Sequence, residues 1–311
     1  MNMKYILGLL AGAVICMALF AWKLRRSGQR PVTALMALPL AAVLGVLLAK
    51  VLYFILEFRD IYVTYDGFGG LLSTNPQEFS MIGGCLGTVL AVALAAKLTG
   101  QKPLPVLDAF APSFALMVAS VRACEGLLEP MRLVGLGSYA MNEAHHFFPL
   151  AVEIEMLYSW FYAVFMLEAL LALIVAAGSF VISHQGRFAP GRVFLHTVFL
   201  LALPQIFCEQ LLGRCMAWGF VRIEQLLCAL IVFGVILYAG IKRKRLTALV
   251  PAALCLVCAA VLIWMEFTLD NKLLFGIDLP TGICYAIMIA SLSCMAGLSL
   301  YAFHRLNQSR S

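Results

Sequence analysis

The dominant pattern along the chain is a series of apolar runs, each long enough to cross the hydrocarbon core of a bilayer. They fall at 3–22, 33–57, 79–98, 105–124, 157–182, 193–212, 224–241, 247–267 and 280–302. A helix of ~20 residues spans such a core, and in lipid every backbone polar group must be paired within the protein. The pattern therefore predicts an all-α, polytopic bundle of about nine transmembrane helices.

Two connections between these runs, at 58–78 and 125–156, are too long to be tight turns. Loops of this length in a compact protein usually have a function. We expect them to surround the access to a site, and the alternative is that they only cap the bundle.

Basic residues in the connections and at the ends of the runs are divided unequally between the two sides. One side has fourteen, namely Lys23, Arg25, Arg26, Arg30, Lys97, Lys102, Arg187, Arg192, Lys242, Arg243, Lys244, Arg245, Arg305 and Arg310, and the other has six, namely Lys4, Arg59, Arg132, Arg214, Arg222 and Lys272. Lys and Arg concentrate in cytoplasmic loops. The division therefore predicts an external N-terminus, a cytoplasmic C-terminus and long connections on the external face.

Composition excludes a soluble globular domain, since 63% of the 311 residues are hydrophobic and 12% are charged. The mean hydropathy is +0.96. Because topology explains the net charge of +6, that charge does not indicate nucleic acid as a partner and is better suited to anionic lipid headgroups.

Most of the ten cysteines lie within the apolar runs. Cys255 and Cys258 have no histidine or carboxylate nearby in the sequence, so we expect free thiols and neither a metal nor a cofactor. Three cysteines near the predicted external face, Cys124, Cys208 and Cys215, are the possible exceptions to a purely apolar role.

Ionisable residues at membrane depth are costly and are candidates for function. They are Lys50, Asp108, Arg122, Glu125, Glu168, Glu209 and Glu224. Arg122 and Glu209 both fall at the external ends of their predicted helices, so we expect them to share one site. The planar guanidinium suits a phospholipid phosphate. The alternatives are a structural pair of Arg122 with Glu209 or Glu125, or a side chain that extends to the interface.

The segment GGCLG, with Gly83, Gly84 and Gly87, opens the third run. Small residues let a backbone or a lipid chain approach closely, although helix packing is their commoner use.

Several segments in order are similar to the prolipoprotein diacylglyceryl transferases over residues 33–240. GGCLG, KPLPVLDAFAP and Arg122, which follows Asp108 by fourteen residues, resemble the H-G-G-x-x-G, L-D-x-x-A-P and G-R-x-G-N-F motifs of that family at matching spacing. AKVLYFILEF, LEALL, PGRVF and VRIEQLL resemble further segments, with Lys50 in place of a family arginine.

The resemblance implies a bacterial plasma-membrane enzyme that moves a diacylglyceryl group from phosphatidylglycerol to the lipobox cysteine of a prolipoprotein. It implies a family-like domain at 1–245 and an additional helix pair at 246–311. The catalytic residues would be Arg122 and Glu209, and the lipid-binding residues would be Arg122, Gly83, Gly84, Lys50, Glu125, Glu168 and Gln205. Phospholipid and prolipoprotein signal segments would be the partners.

The sequence departs from the family pattern where the chemistry is most demanding. Ile82 replaces the histidine before G-G, Glu125 an asparagine, Gln205 an arginine and Tyr162 a second histidine. The acceptor thiol must lose its proton, and the departing phosphate needs cationic stabilisation. Ile82 supplies no proton transfer and Gln205 supplies no charge.

Three hypotheses follow from these departures. The first is a transferase in which His145 or His146, in the long external connection, replaces the missing base. The second is a catalytically impaired paralogue that binds phospholipid or lipopeptide as a partner protein. The third, a small-molecule transporter, would show inverted repeats and discontinuous helices, and neither is clear in the sequence.

Overall fold

A computed structural model describes most of the chain, and nine long helices contain most of the described residues. The described residues are 3–65, 67–73, 75–128, 135–140, 146–184, 188–213, 217–218, 221–242, 250–269 and 279–308. The long helices are α1 Met3–Arg26, α2 Val32–Leu56, α4 Met81–Leu98, α5 Pro103–Glu125, α6 Val164–His184, α7 Arg192–Leu211, α8 Ile223–Lys242, α9 Val250–Leu269 and α10 Thr281–Gln308, and the short helix α3 is Phe58–Thr64.

The prediction of a polytopic all-α bundle is confirmed. Within the described residues, eight helices are long and apolar enough to cross a membrane, and α8 adds a shorter apolar stretch at Ile223–Tyr238. Each of the nine predicted spans coincides with one of these helices. Their sidedness remains a prediction from the charge distribution.

The predicted span at 157–182 begins later than expected, because its first part is a strand. Three antiparallel strands, β1 Leu136–Ala140, β2 Ala151–Ile154 and β3 Ser159–Ala163, form a small sheet with β3 in the middle. A short apolar run is compatible with a strand or a helix, and consecutive aromatic residues in β3 favour a strand. A two-stranded ribbon, β4 Ala217–Trp218 and β5 Val221–Arg222, follows α7.

The sheet closes over the end of the bundle where α5 ends and α6 begins. The backbone N–H of Phe165 donates to the carbonyl of Gly135 at 3.0 Å, and that of Gly213 donates to the carbonyl of Leu136 at 2.9 Å. The described parts of the long connection, 125–128, 135–140 and 146–156, thus form a structured cover for this end.

Helices α2 and α4 pack more extensively than any other pair of elements in the described chain. A Cβ atom added at Gly87 would lie 2.2 Å from the carbonyl oxygen of Leu44, and one added at Gly83 would lie 2.5 Å from that of Leu48. Both glycines therefore allow backbone-to-backbone contact. Gly84 faces less crowded space, with 3.7 Å from its added Cβ to Ala49 Cβ.

Two apolar clusters form most of the buried interior. One joins α1, α2, α4, α5 and α7, and the other joins α7, α8, α9 and α10. The C-terminal helix pair thus packs directly on the preceding helices. The division at 245 and 246 into a family-like domain and an additional pair remains an expectation from the sequence.

Replacing Gly87 with alanine is expected to destabilise the protein by about 1–3 kcal/mol, because the methyl group would force α2 and α4 apart. The measurement is the free energy of unfolding by SDS titration in mixed micelles. Gly84→Ala, three residues earlier on the same helix, is the matched control and should change stability by less than about 1 kcal/mol. Equal losses in the two variants would contradict the close helix contact.

Candidate functional site

Six of the seven ionisable residues predicted at membrane depth, all except Asp108, lie at one end of the bundle. Alternation of helix direction brings together the ends of α2, α5 and α7 and the beginnings of α1, α4, α6 and α8. By the charge distribution this is the predicted external end. The prediction that Arg122 and Glu209 belong to one site agrees with this arrangement.

Arg122 is the centre of the group and is 5% exposed. Its Nη1 atom donates to Glu125 Oε1 at 2.9 Å, one helical turn further along α5. Its Nε atom lies 2.7 Å from Glu168 Oε2 on α6, an ion pair without the angle of a directed hydrogen bond. Two carboxylates therefore share one guanidinium in a region with little water, where such pairing strongly stabilises each charge.

Gln205 connects this ion pair to Glu209. Its Nε2 atom donates to Glu168 Oε1 at 2.8 Å and to Glu209 Oε1 at 3.1 Å. Of the structural pairs considered for Arg122, the pair with Glu125 is present, whereas Glu209 is linked to Arg122 through Gln205 and Glu168. The result is a continuous polar chain across α5, α6 and α7.

A cavity of about 280 Å³ reaches this polar chain from the side of the bundle. It lies among α1, α2, α4 and α5 and is lined by Tyr5, Leu9, Ala41, Gly45, Val46, Ala49, Phe79, Ser80, Met81, Gly84, Cys85, Thr88, Met117, Val121, Arg122, Glu125 and Leu128. Val46 is 59% exposed on the outer surface of α2, whereas Arg122 is buried. The cavity therefore runs from the surface that lipid would contact to the ion pair.

The predicted lipid-binding glycines have different positions. Gly84 lines the cavity, but Gly83 lies against the carbonyl of Leu48 and serves helix packing. The missing side chain of Gly83 makes room for α2, and a role of Gly83 in lipid binding stays a prediction.

Lys50 forms a separate ion pair beside the cavity. Its Nζ atom donates to Glu78 Oε2 at 2.8 Å and lies 5.0 Å from the ring centroid of Phe79. Tyr65 also donates to Glu78, with 2.6 Å between its hydroxyl and Oε1. Sequence reasoning missed Glu78. The available signal was that a lysine in a span requires a carboxylate, and Glu78 immediately precedes the next span.

Ser80 was also missed, although it begins α4 beside the glycine motif. Its Oγ atom accepts from the backbone N–H of Gly83 at 3.3 Å, which is the N-cap interaction that serine favours. The same hydroxyl donates to Glu224 Oε1 at 3.2 Å. Glu224 thereby joins the site from the start of α8.

Arg222 ties the end of α7 to the C-terminal helices. Its Nη1 atom donates to the carbonyls of Glu209 and Leu212, the latter at 3.2 Å. Its Nε atom lies 3.7 Å from Glu266 Oε1 on α9. The sequence analysis had treated Arg222 only as one basic residue among those that indicate sidedness.

Other candidates lie away from the ion pair. Asp108 accepts from the backbone N–H groups of Gly191 at 2.6 Å and Phe194 at 2.9 Å, so it caps α7 at the opposite end of the bundle. His146 stacks on Trp160 with 5.0 Å between ring centroids. His145 lies outside the described residues.

The structure also shows the surroundings of the two residues that stand where the family motifs have histidine. Ile82 packs against the apolar cluster of the C-terminal helices, and Tyr162 is 48% exposed on β3. All nine cysteines in the described chain are free thiols, and Cys215 lies outside it. No group of three or more His, Cys, Asp or Glu in the described residues is arranged to hold a metal ion.

The bundle and its cavity define a multi-pass membrane protein with a buried ionic site that is accessible from the lipid phase. The family model described as prolipoprotein diacylglyceryl transferase matches residues 3–241. The chain therefore belongs to this family, as the motif spacing had indicated. Comparisons with curated proteins and with solved structures gave no match.

The Lys50–Glu78 pair is expected to make the free energy of unfolding depend on pH in the acid range. Burial raises the pKa of Glu78, but hydrogen bonds from Lys50, Ser73 and Tyr65 together outweigh burial and hold this pKa below its usual value. The stabilisation from the ionised Glu78 is fully present above the pKa of a glutamate in the unfolded chain, about 4.3. It is lost as the pH falls through the lower pKa that Glu78 has in the folded protein.

The measurement is the thermal midpoint between neutral pH and acid, for the wild type and for Glu78→Gln. The variant should be less stable at neutral pH and should approach the wild type in acid. A constant difference between the two proteins across this range would contradict the ionic contribution.

Replacing Arg122 with glutamine is expected to reduce stability by about 3–5 kcal/mol, since two buried carboxylates lose their common cation. Adding Glu168→Gln should recover part of this loss, because the double variant contains one fewer uncompensated charge. SDS titration of the two single variants and the double variant gives the coupling. Strictly additive losses would show that the ion pair does not determine the stability of this end.

Proposed function

We propose that the protein is a membrane transferase that moves a diacylglyceryl group from a glycerophospholipid to the cysteine thiol of a prolipoprotein. The resemblance to the family implies that phosphatidylglycerol would be the donor and that the protein would lie in a bacterial plasma membrane. The observation that carries the proposal is the position of Arg122, the arginine of the family motif, at the inner end of a cavity that opens between spanning helices.

The cavity suits the dual character of a phospholipid. Most of its lining is apolar, which suits acyl chains, and its polar groups lie near Ser80, Arg122 and Glu125. A lipid could bind with its chains toward Val46 and its headgroup toward the ion pair. The prolipoprotein signal segment, itself apolar, would approach through the same membrane region.

The transfer exchanges one bond to carbon for another. The acceptor thiol loses its proton, its sulfur forms a thioether bond to the terminal carbon of the diacylglyceryl group, and the bond from that carbon to the phosphate oxygen breaks. The electron pair leaves with the phosphate, so phosphatidylglycerol releases glycerol phosphate. The proton is taken up by the released phosphate or by solvent.

Arg122 would position the donor lipid and stabilise charge on the phosphate, although Glu125 and Glu168 already share its guanidinium. Glu209 would act through Gln205 and Glu168, which together determine the position of the ion pair. Lys50 and Glu78 would support the adjacent wall of the cavity.

A second function is favoured by the charge of the site itself. Ile82 packs in an apolar cluster, Gln205 is neutral, and both carboxylates that contact Arg122 reduce its attraction for a phosphate. A paralogue that binds phospholipid or lipopeptide without transferring it would need only the cavity. This candidate predicts lipid retention in the absence of a product.

The deciding experiment incubates purified protein in phosphatidylglycerol liposomes with a lipobox peptide and detects diacylglyceryl addition by mass spectrometry. We expect addition by the wild type and at least a ~100-fold lower rate for Arg122→Gln, the scale typical of losing a charge-stabilising group. Lys97→Gln, an exposed cation at the other end of α4, is the control.

If the wild type forms no product but retains lipid, and Arg122→Gln abolishes that retention, the protein is the binding paralogue and not a transferase. Absence of both product and retention would overturn the proposed use of the cavity.

A further inference from the structure

Two lysines in the described part of the chain are buried to the same extent but have different partners. Lys23, near the end of α1, and Lys50 are each 5% exposed. Lys50 is neutralised by Glu78 at 2.8 Å. The Nζ atom of Lys23 instead donates to the hydroxyl group of Ser183 on α6 at 2.5 Å, and it forms no ion pair with a described residue. A buried ammonium group without a counter-ion is costly in a membrane protein.

Aromatic rings compensate the charge of Lys23 only in part. Its Nζ atom lies 4.4 Å from the ring centroid of Phe180 and 5.8 Å from that of Trp22. The guanidinium of Arg26 lies over the same Trp22 ring at 5.4 Å. A ring attracts a cation through its quadrupole but carries no net charge. A lysine at the end of a membrane helix commonly extends into water, whereas Lys23 is buried against α6, so its charge still lacks a balancing anion.

The described chain offers no free carboxylate to Lys23. Among the described acidic residues, Asp108 alone lies at this end of the bundle, where α1 and α6 end and α5 and α7 begin. Both of its oxygens accept from the backbone of α7, from Gly191 at 2.6 Å and from Phe194 at 2.9 Å. Residues 185–187, which follow α6 in the sequence, include no acidic side chain. A bound molecule is therefore the best source of a counter-ion for Lys23.

A cavity of about 220 Å³ beside Lys23 has room for part of such a molecule. Its polar lining groups belong to Lys23, Ser27, Gln29, Asp108 and Ser183, and its other lining residues are apolar. The neighbouring surface is also apolar, since Trp22 is 42% exposed and Val181 is 57% exposed. The site thus combines a buried cation with a surface that acyl chains would contact.

We propose that this cavity binds the phosphate group of an anionic phospholipid, which provides the counter-ion of Lys23. By the charge distribution, the lipid lies in the cytoplasmic leaflet, with its acyl chains along Trp22 and Val181. A lipid suits the site better than a soluble anion because the apolar surface adjoins the cation. The site lies at the opposite end of the bundle from Arg122, so the inference is independent of the proposed function.

The test uses Trp22 as a reporter, because its ring lies beside Lys23 and reaches the surface of the bundle. In the full chain, phenylalanine replaces Trp160, Trp218 and Trp264, which leaves Trp22 as the single tryptophan. The protein is reconstituted in phosphatidylcholine bilayers that contain either brominated phosphatidylglycerol or brominated phosphatidylcholine, because bromine quenches a nearby tryptophan. We expect quenching to show about a tenfold local preference for the anionic lipid, the scale of one hydrogen bond to a charged group.

Two variants of the reporter protein distinguish a site from a diffuse attraction. Lys23→Met removes the buried charge, keeps an apolar side chain of similar length, and should reduce the preference to less than about threefold. Arg25→Gln removes an exposed charge two residues further along α1, outside the cavity lining, and should keep the preference of the reporter. Thermal midpoints establish that the reporter and its variants are folded.

A second measurement keeps all four tryptophans and distinguishes a lipid from a soluble anion. The thermal midpoint is measured in a zwitterionic detergent after addition of phosphatidylglycerol, phosphatidylcholine or inorganic phosphate. We expect phosphatidylglycerol to raise the midpoint of the wild type by several degrees more than that of Lys23→Met, because only the wild type gains a counter-ion for a buried charge. Phosphatidylcholine and inorganic phosphate should produce no such difference.

A local preference that Lys23→Met leaves unchanged, or that Lys23→Met and Arg25→Gln reduce equally, would overturn the site. The absence of any preference would overturn it as well. If inorganic phosphate raises the midpoint through Lys23 as much as phosphatidylglycerol does, the site takes a soluble anion and the assignment to a lipid is wrong. Each of these outcomes leaves the proposed function intact, because that function depends on the cavity at Arg122.

Discussion

The functional end of this protein depends on the ion pairs that balance the charge of Arg122 inside a bundle surrounded by lipid. A guanidinium at this depth has little water to solvate it, so its charge must be balanced by protein groups. Glu125 and Glu168 provide that balance at 2.9 and 2.7 Å. The pairing fixes α5 against α6, and Gln205 extends the same constraint to α7.

The remaining architecture supports this centre with contacts of other kinds. Gly83 and Gly87 bring the backbones of α2 and α4 together, which places Ser80 beside the cavity. Asp108 caps α7 at the opposite end of the bundle. Polar capping and close backbone packing therefore align the helices, because apolar side chains alone provide little specific attraction between helices in lipid.

Family membership and site chemistry point in partly different directions. The chain belongs to the prolipoprotein diacylglyceryl transferase family, but Glu125 and Gln205 make its centre more acidic than the motifs that it resembles. An acidic centre of this kind also suits a protein that binds a phospholipid without transferring its diacylglyceryl group.

The sequence by itself determined the spanning helices, the family and most of the polar set, because membrane-length apolar runs and buried charges are recognisable along a chain. It did not determine which residues would pair. The sequence distance from Lys50 to Glu78, or from Ser80 to Glu224, gives no indication of contact. The aromatic run at Trp160 favours a strand, but it continues into a long apolar run that predicts a helix. Only the tertiary structure decided that Gln205 links Glu168 to Glu209, since hydrogen bonds between helices depend on how the helices rotate and approach one another.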